Sequence, residues 1–362
     1  MRFAGTAAPC RRNCDNPKAV IPFWPALKNL RIDPFIVALL ATVALASLLP
    51  CAGKFAHIMN RVTDGAIALL FFLHGARLSR EAILAGLGAW RIHALALGST
   101  FVLFPAMGLI LRAVSHGWLN PAIADGILFL CLLPSTVQSS IAFTSIARGN
   151  VPAAVCSASA SNLVGIFVTP VLVGLFLLRG PHGGLSLEAL QAILLQLLLP
   201  FVAGHLSRPL TDAFLTRHRS IIGKVDRGVI LLVVYTAFSA AVTEGLWHEY
   251  SWADLAWTFG LNAAILATAL AATTWISRRV GLSREDETAV VFCGSKKSLA
   301  SGVPMAGVLF PPALLGPMIL PLMLFHQMQL MACAVLAQRY AARFAKHENL
   351  EQLRGSVRRS GA

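Results

Sequence analysis

Two runs of residues in this chain combine types and spacing that belong to chemistry rather than to plain lipid contact. One is Phe292-Cys293-Gly294-Ser295-Lys296-Lys297-Ser298-Leu299-Ala300-Ser301-Gly302-Val303-Pro304; the other is Pro134-Ser135-Thr136-Val137-Gln138-Ser139-Ser140. Both sit inside segments that are otherwise apolar enough to cross a bilayer. A charge at the bilayer centre costs about 2.5–3.5 kcal/mol on insertion scales, and it is tolerated where it meets a cavity, a partner or a substrate path. Pro134 removes a backbone donor and clashes with the preceding turn, and the backbone groups it frees can be satisfied by the hydroxyls and amide that follow or by bound ions. The oxygens of Ser135, Thr136, Gln138, Ser139 and Ser140 are hard ligands suited to Na⁺, although neither run contains a carboxylate. If both segments break near the midplane, each supplies a half-helix N-terminus worth about half a positive charge. With Lys296 and Lys297 added, the pair favours an anionic group, or the lysines substitute for bound cations.

The elements that position these runs follow from composition. Of 362 residues, 56% are hydrophobic and 13% charged, against about 25% charged in soluble domains, so the chain reads as a polytopic all-α membrane protein. Given about 20 residues per crossing, ten apolar segments can be marked, near 33–52, 60–76, 92–111, 121–147, 150–178, 187–206, 228–244, 253–275, 287–310 and 313–338. Residues 1–32 read as a polar N-terminal tail and 339–362 as a C-terminal tail. The first segment has no small-residue cleavage site after a short apolar core and reads as a retained helix.

The net charge of +14 is accounted for by topology and not by nucleic acid. With the N-terminus inside, 24 of the 30 Lys and Arg residues fall on that side, four on the other, and Lys296 and Lys297 within a span. Such a bias predicts both termini in the cytoplasm and an even number of crossings of the cell (inner) membrane. The bilayer is thus the one certain partner, and the oligomeric state stays open. Cys10 and Cys14 lie in the reducing-side tail with no second pair or His cluster beside them, so neither a disulfide framework nor a metal site is expected.

Further polar positions gather in the neighbouring spans. Segment five carries Ser157, Ser161 and Asn162; residues 157 and 161 share a helical face, which either packs closely on a neighbour or completes a cation site. Segment ten carries Pro317, Pro321 and then His326-Gln327-Met328-Gln329. His74, near the end of segment two, is an interfacial hydrogen-bonding residue or a proton carrier, and segments one and three read as scaffold. An interrupted segment followed by a polar-faced one thus occurs as four and five and again as nine and ten. Five is odd, so the two halves, 33–178 and 179–338, would have opposite orientations, and interrupted segments at matching places in inverted halves point to a secondary transporter's binding site. Two other classes compete. One is a membrane regulatory protein that keeps the fold without transport. The other is an intramembrane hydrolase with Ser295 or Ser298 as nucleophile and Lys296 or Lys297 as base, though no oxyanion-hole or nucleophile-elbow motif accompanies it.

The runs Leu133-Pro134-Ser135-Thr136-Val137-Gln138-Ser139-Ser140-Ile141-Ala142 and Phe292 to Met305, with His326-Gln327-Met328-Gln329-Leu330 and Leu336-Ala337-Gln338-Arg339-Tyr340, resemble the bile acid:sodium symporter superfamily, in its SBF-like branch. The resemblance covers the chain from about residue 30. It implies ten helices in a five-plus-five inverted repeat, a panel of helices one, two, six and seven, and a core in which broken helices four and nine cross. It implies alternating-access symport of an organic anion, usually coupled to Na⁺, with no resident cofactor and no enzymatic step. Na⁺-coupled members carry a Ser-Asn pair after the helix-four break, matched here by Ser139 and Ser140. Their helix-nine glutamate and glutamine ligands are matched by Phe292 and Lys296, aligning on Gly294. The departure leads to the expectation that Lys296 or Lys297 takes the place of a sodium ion, with Na⁺ and H⁺ both open as the coupling ion.

Overall fold

The computed structural model describes residues 34–77, 89–177, 191, 193–243, 245 and 251–360. The N-terminal tail with Cys10 and Cys14, and the Gly-rich stretch 180–184, lie outside the described residues. Within them all regular structure is helical: α1 Pro34–Leu48, α2 Gly53–Ala76, α3 Trp90–Val114, α4 Pro121–Leu132, α5 Gln138–Ile146, α6 Val151–Phe176, α7 Leu199–Arg217, α8 Arg219–Thr243, α9 Trp252–Arg279, α10 Arg284–Gly294, α11 Leu299–Leu309 and α12 Pro312–Ser360. Six of these contain stretches long and apolar enough to cross a membrane: Gly53–Ala76, Trp90–Val114, Val151–Phe176, Ser220–Thr243, Trp252–Arg279 and Leu314–Phe344.

Several helices run past the ends that hydropathy marks. The stretch 208–227, which lies between two marked apolar segments, is helical on both sides of His218, and α12 runs on through Tyr340 to Ser360. Hydropathy marks the apolar part of a helix, whereas backbone hydrogen bonding continues into the interface, where Arg and Lys heads reach water along apolar stems. Pro317 and Pro321 leave α12 unbroken, and the side-chain amide of Asn262 on α9 donates to Pro321 O at 2.9 Å.

Contact between helices in lipid rests on close packing of small residues rather than on a hydrophobic drive. α2 and α7 are the clearest case: a Cβ at Gly75 would run into the backbone of Phe201, and a Cβ at Gly204 into the backbone of Phe72. The two helices therefore meet backbone to backbone. α1 packs on α8, α8 also meets α2 and α11, and the cytoplasm-predicted end of α2 is clamped to α8 by the paired bonds of Arg77 to Asp226, at 2.6 and 3.0 Å. Around the broken segments, α3 packs on α4 and α10, and α9 on α10 and α12. The turn into α6 is tied to the start of α10, with Asn150 N donating to Glu285 O at 3.0 Å and its amide to Asp286 at 2.8 Å. Past the middle of α12, Tyr340 joins Arg278 of α9 on the buried carboxylate of Glu287, at 2.8 and 3.0 Å.

Candidate functional site: two helix breaks and two buried lysines

α4 ends at Leu132 and α5 begins at Gln138; α10 ends at Gly294 and α11 begins at Leu299. The two interruptions abut directly, since Ser298 N donates to Pro134 O at 2.9 Å. A helix leaves its last four carbonyls without internal partners, and inside a membrane each must find one. The end of α10 finds three serine hydroxyls: Ser140 on Phe292 O (2.8 Å), Ser135 on Cys293 O (2.5 Å) and Ser99 on Gly294 O (2.7 Å). At the end of α4, Thr169 caps Leu132 O at 2.9 Å, and the remaining acceptors, Cys131 O and Leu133 O, are taken by an ammonium.

That ammonium belongs to Lys297, whose side chain is wholly buried. Its Nζ donates to Thr100 O (2.9 Å), Cys131 O (2.9 Å) and Leu133 O (2.6 Å), and lies 4.2 Å from the centre of the Phe104 ring. A lysine ammonium has three donors, and all three are used on backbone oxygens. Two of those oxygens come from the negative end of the α4 dipole, where a cation is favoured. The third comes from α3, in which residues Ser99–Leu103 form a π-helical turn. Such turns shift the ladder by one residue and recur at functional sites; here the shifted segment presents Thr100 O. Segment three is therefore part of the site and not plain scaffold.

Lys296 is also fully buried but is held differently. Its Nζ donates to Ser139 O at 2.8 Å and lies between the faces of Phe143 (4.2 Å) and Phe292 (5.2 Å). Cation–π contact is worth about 2 kcal/mol or more where the charge is desolvated. Phe143→Leu is expected to lower the melting temperature of the purified protein by an amount equivalent to roughly 1–2 kcal/mol, while Phe143→Tyr, which keeps a π face, retains most of it.

Each break is braced by an amide from the long helix that follows it. Asn162 on α6 donates to Ser135 O at 2.9 Å, and its oxygen accepts from Ser301 at 2.8 Å, so one side chain joins both breaks. Gln329 on α12 accepts from Lys297 N at 2.8 Å and donates to Lys297 O at 2.9 Å. The structure thus gathers Ser135, Ser139, Ser140, Ser161, Asn162, Gly294, Ser295, Lys296, Lys297 and Ser298 around one junction. Ser161 accepts from Ser135 N at 3.0 Å, Ser295 donates to Val291 O within its own helix at 2.6 Å, and Ser298 caps α11 through Ser301 N at 3.1 Å.

Other sequence candidates lie at its margins. Thr136 accepts from Ser139 at 3.3 Å and Gln138 is exposed. Ser157 pairs with His93 of α3 at 2.6 Å, a full turn from the break. His326 meets Gln329 at 2.9 Å, so it supports the brace, and the side-chain oxygen of Gln327 is buried without a partner. Both lysine ammoniums point to backbone oxygens while the hydroxyls of Ser295 and Ser298 point to Val291 O and Ser301, so the hydroxyl–amine pairing of a Ser-Lys dyad is not made. Ser99, Thr100, Thr169 and Gln329 also hold the junction and were not among the sequence candidates for binding. Adjacent hydroxyls in segment three and a second amide three residues after His326 were their only signals, and the acceptor oxygens of Cys131 and Leu133 had none.

An all-helical membrane protein whose two interrupted helices meet at buried charge has the plan of a carrier. The model of the SBF-like CPA transporter family matches residues 33–342. Among relatives, "Uncharacterized protein PA2026" of Pseudomonas aeruginosa is 58% identical over 314 residues, covering 86% of this chain and 93% of its own. "Putative symporter YfeH" of Escherichia coli (strain K12) is 53% identical, covering 87% and 95%. "Sodium/bile acid cotransporter 7-A" of Xenopus laevis is 27% identical, covering 86% and 92%. The chain belongs to the SBF-like CPA transporter family, a branch of the bile acid:sodium symporters, and is a membrane transporter.

Proposed function

We propose that the protein is a secondary carrier of a small organic anion, working by alternating access around the two breaks, in which its own lysines meet the requirement for bound cations. The observation that carries this reading is the Lys297 ammonium, fully buried and held by three carbonyl oxygens, two at the end of interrupted α4 and one in the π-helical turn of α3. Backbone carbonyls arranged in this way are what a desolvated alkali ion takes as ligands, and the tethered ammonium holds their place permanently. The site then keeps its positive charge without drawing Na⁺ from solution, and a proton is the coupling ion that this arrangement leaves.

Ten crossings in a five-plus-five inverted repeat, 33–178 and 179–338, suit the contacts described. Counting α4 with α5 and α10 with α11 as single crossings, the packing of the second on the sixth corresponds to that of the seventh on the first, and that of the third on the fourth to that of the eighth on the ninth. Asn162 and Gln329 brace their respective breaks from the fifth and tenth. The charge bias favours cytoplasmic termini in the inner membrane.

The test is uptake of radiolabelled organic anions by proteoliposomes, first in sodium and then in choline medium. Accumulation that persists in choline is the expected result. Uptake that collapses when Na⁺ is withdrawn would overturn the lysine substitution, and no uptake of any organic anion would overturn the carrier reading itself.

A further inference from the structure

Lys296 and Lys297 are neighbours in sequence and both buried, yet their charges are compensated unequally. Every donor of Lys297 meets a carbonyl oxygen, and two of those oxygens stand at the negative end of α4. Lys296 Nζ has Ser139 O at 2.8 Å and the ring faces of Phe143 and Phe292. Among the described residues no other oxygen accepts from it, so two of its three donors are answered by rings, which hold a cation less firmly than charge-assisted hydrogen bonds do. Ser139 is also the second residue of α5. The Lys296 ammonium therefore stands beside the positive end of a helix, where an anion is favoured and a cation is not.

The protein supplies no counter-ion. Among the described residues no carboxylate lies within ion-pair distance of either lysine; Asp125, Asp226 and Glu287 are engaged by Arg112, Arg77 and Arg278. The ionisable side chains in electrostatic reach of Lys296 are Cys293 of α10 and Cys333 of α12, and a thiol is a poor partner for an ammonium. A buried charge is expected to be paired, and here the pairing group has to come from outside the chain.

A way in exists on α5. That helix packs on α6, α10 and α12, while Gln138, Ala142 and Ser145, which follow one another at helical spacing, are exposed. Ser139 and Phe143 flank this open face and are half-buried. They are the same two residues that hold the Lys296 ammonium, so one layer of α5 separates the charge from the opening.

We infer that Lys296 binds the anionic group of the transported substrate, which enters past Phe143 from the open face of α5 and supplies the acceptors that the ammonium lacks. Lys297, with its charge already answered, is the fixed member of the pair. The inference rests on the carrier reading and names the substrate class: one uncompensated ammonium calls for an acid with a single negative charge.

The probes are two series of matched skeleton and rising charge: benzamide, benzoate and phthalate, and butyramide, butyrate and succinate. Binding to the detergent-purified full-length protein is read by thermal shift. In wild type at least one monoacid is expected to bind more tightly than its amide and its diacid by about thirtyfold or more, as for a buried charge pair against its broken form. Lys296→Gln, which keeps a donor for Ser139 O, is expected to lose that preference, and Lys296→Arg, which keeps the charge, to retain the order of monoacid over amide. Wild type that meets acid and amide alike, prefers the diacids or ignores both series would overturn the site, and this arm decides even where Lys296→Gln folds poorly. A monoacid preference undiminished in Lys296→Gln would do the same. Detergent binding involves no translocation, so each of these results leaves the uptake test of the carrier reading standing; an acid carried by Lys296→Gln with wild-type KM would remove the site and keep the carrier.

Discussion

Lys297→Met is expected to destabilise the protein by about 3 kcal/mol or more, and Lys297→Ala to recover part of that loss in millimolar Na⁺ or K⁺. The methionine fills the space of the lysine stem but offers no donor, so Thr100 O, Cys131 O and Leu133 O lose their partner together; each buried acceptor left unpaired costs about 1–3 kcal/mol. Alanine opens the cage, and an alkali ion can enter it with the same oxygens as ligands. Stabilisation by such an ion grows with concentration as mass action requires. Thermal unfolding of wild type and both variants in sodium, potassium and choline chloride reads this directly. Wild type should respond alike to all three salts, whereas Lys297→Ala should favour the alkali ions. A Lys297→Ala protein indifferent to the cation would refute the idea that the ammonium stands in an ion site.

Asn162→Leu is expected to abolish transport, lowering the initial uptake rate a hundredfold or more, while the protein still inserts and folds. The amide joins the carbonyl of Ser135 to the hydroxyl of Ser301 at 2.9 and 2.8 Å, so its loss uncouples the two breaks at the point where they must move together. Misplacement by 1 Å at such a constellation can cost about a hundredfold. Gln329→Leu attacks the matching brace and leaves the N–H and C=O of Lys297 unpaired, so here the expected signature is lower stability as well as lost transport. If Asn162→Leu transported at wild-type rates, the breaks would not act as one unit.

The sequence by itself determined a good deal. Apolar segments of spanning length, the one-sided distribution of Arg and Lys, the prolines and hydroxyls at 134–140 and the lysines at 296–297 follow from side-chain type alone, because the bilayer is a severe solvent that admits few alternatives. They were enough to reach an all-helical membrane transporter and to single out the two interruptions that the structure brings together. Tertiary structure alone decided which atoms do the holding. Whether Lys296 or Lys297 sits in a cage of oxygens depends on how α3, α4 and α10 meet, and those oxygens are backbone carbonyls that every residue carries. The role of Thr100 arises from a π-helical turn that no residue type announces, and that of Gln329 from α12 continuing unbroken past Pro317 and Pro321 to bring an amide against the second break. Sequence patterns report side chains and their spacing; the site of this protein is made largely from main chain, and main-chain groups acquire identity only when the helices are packed.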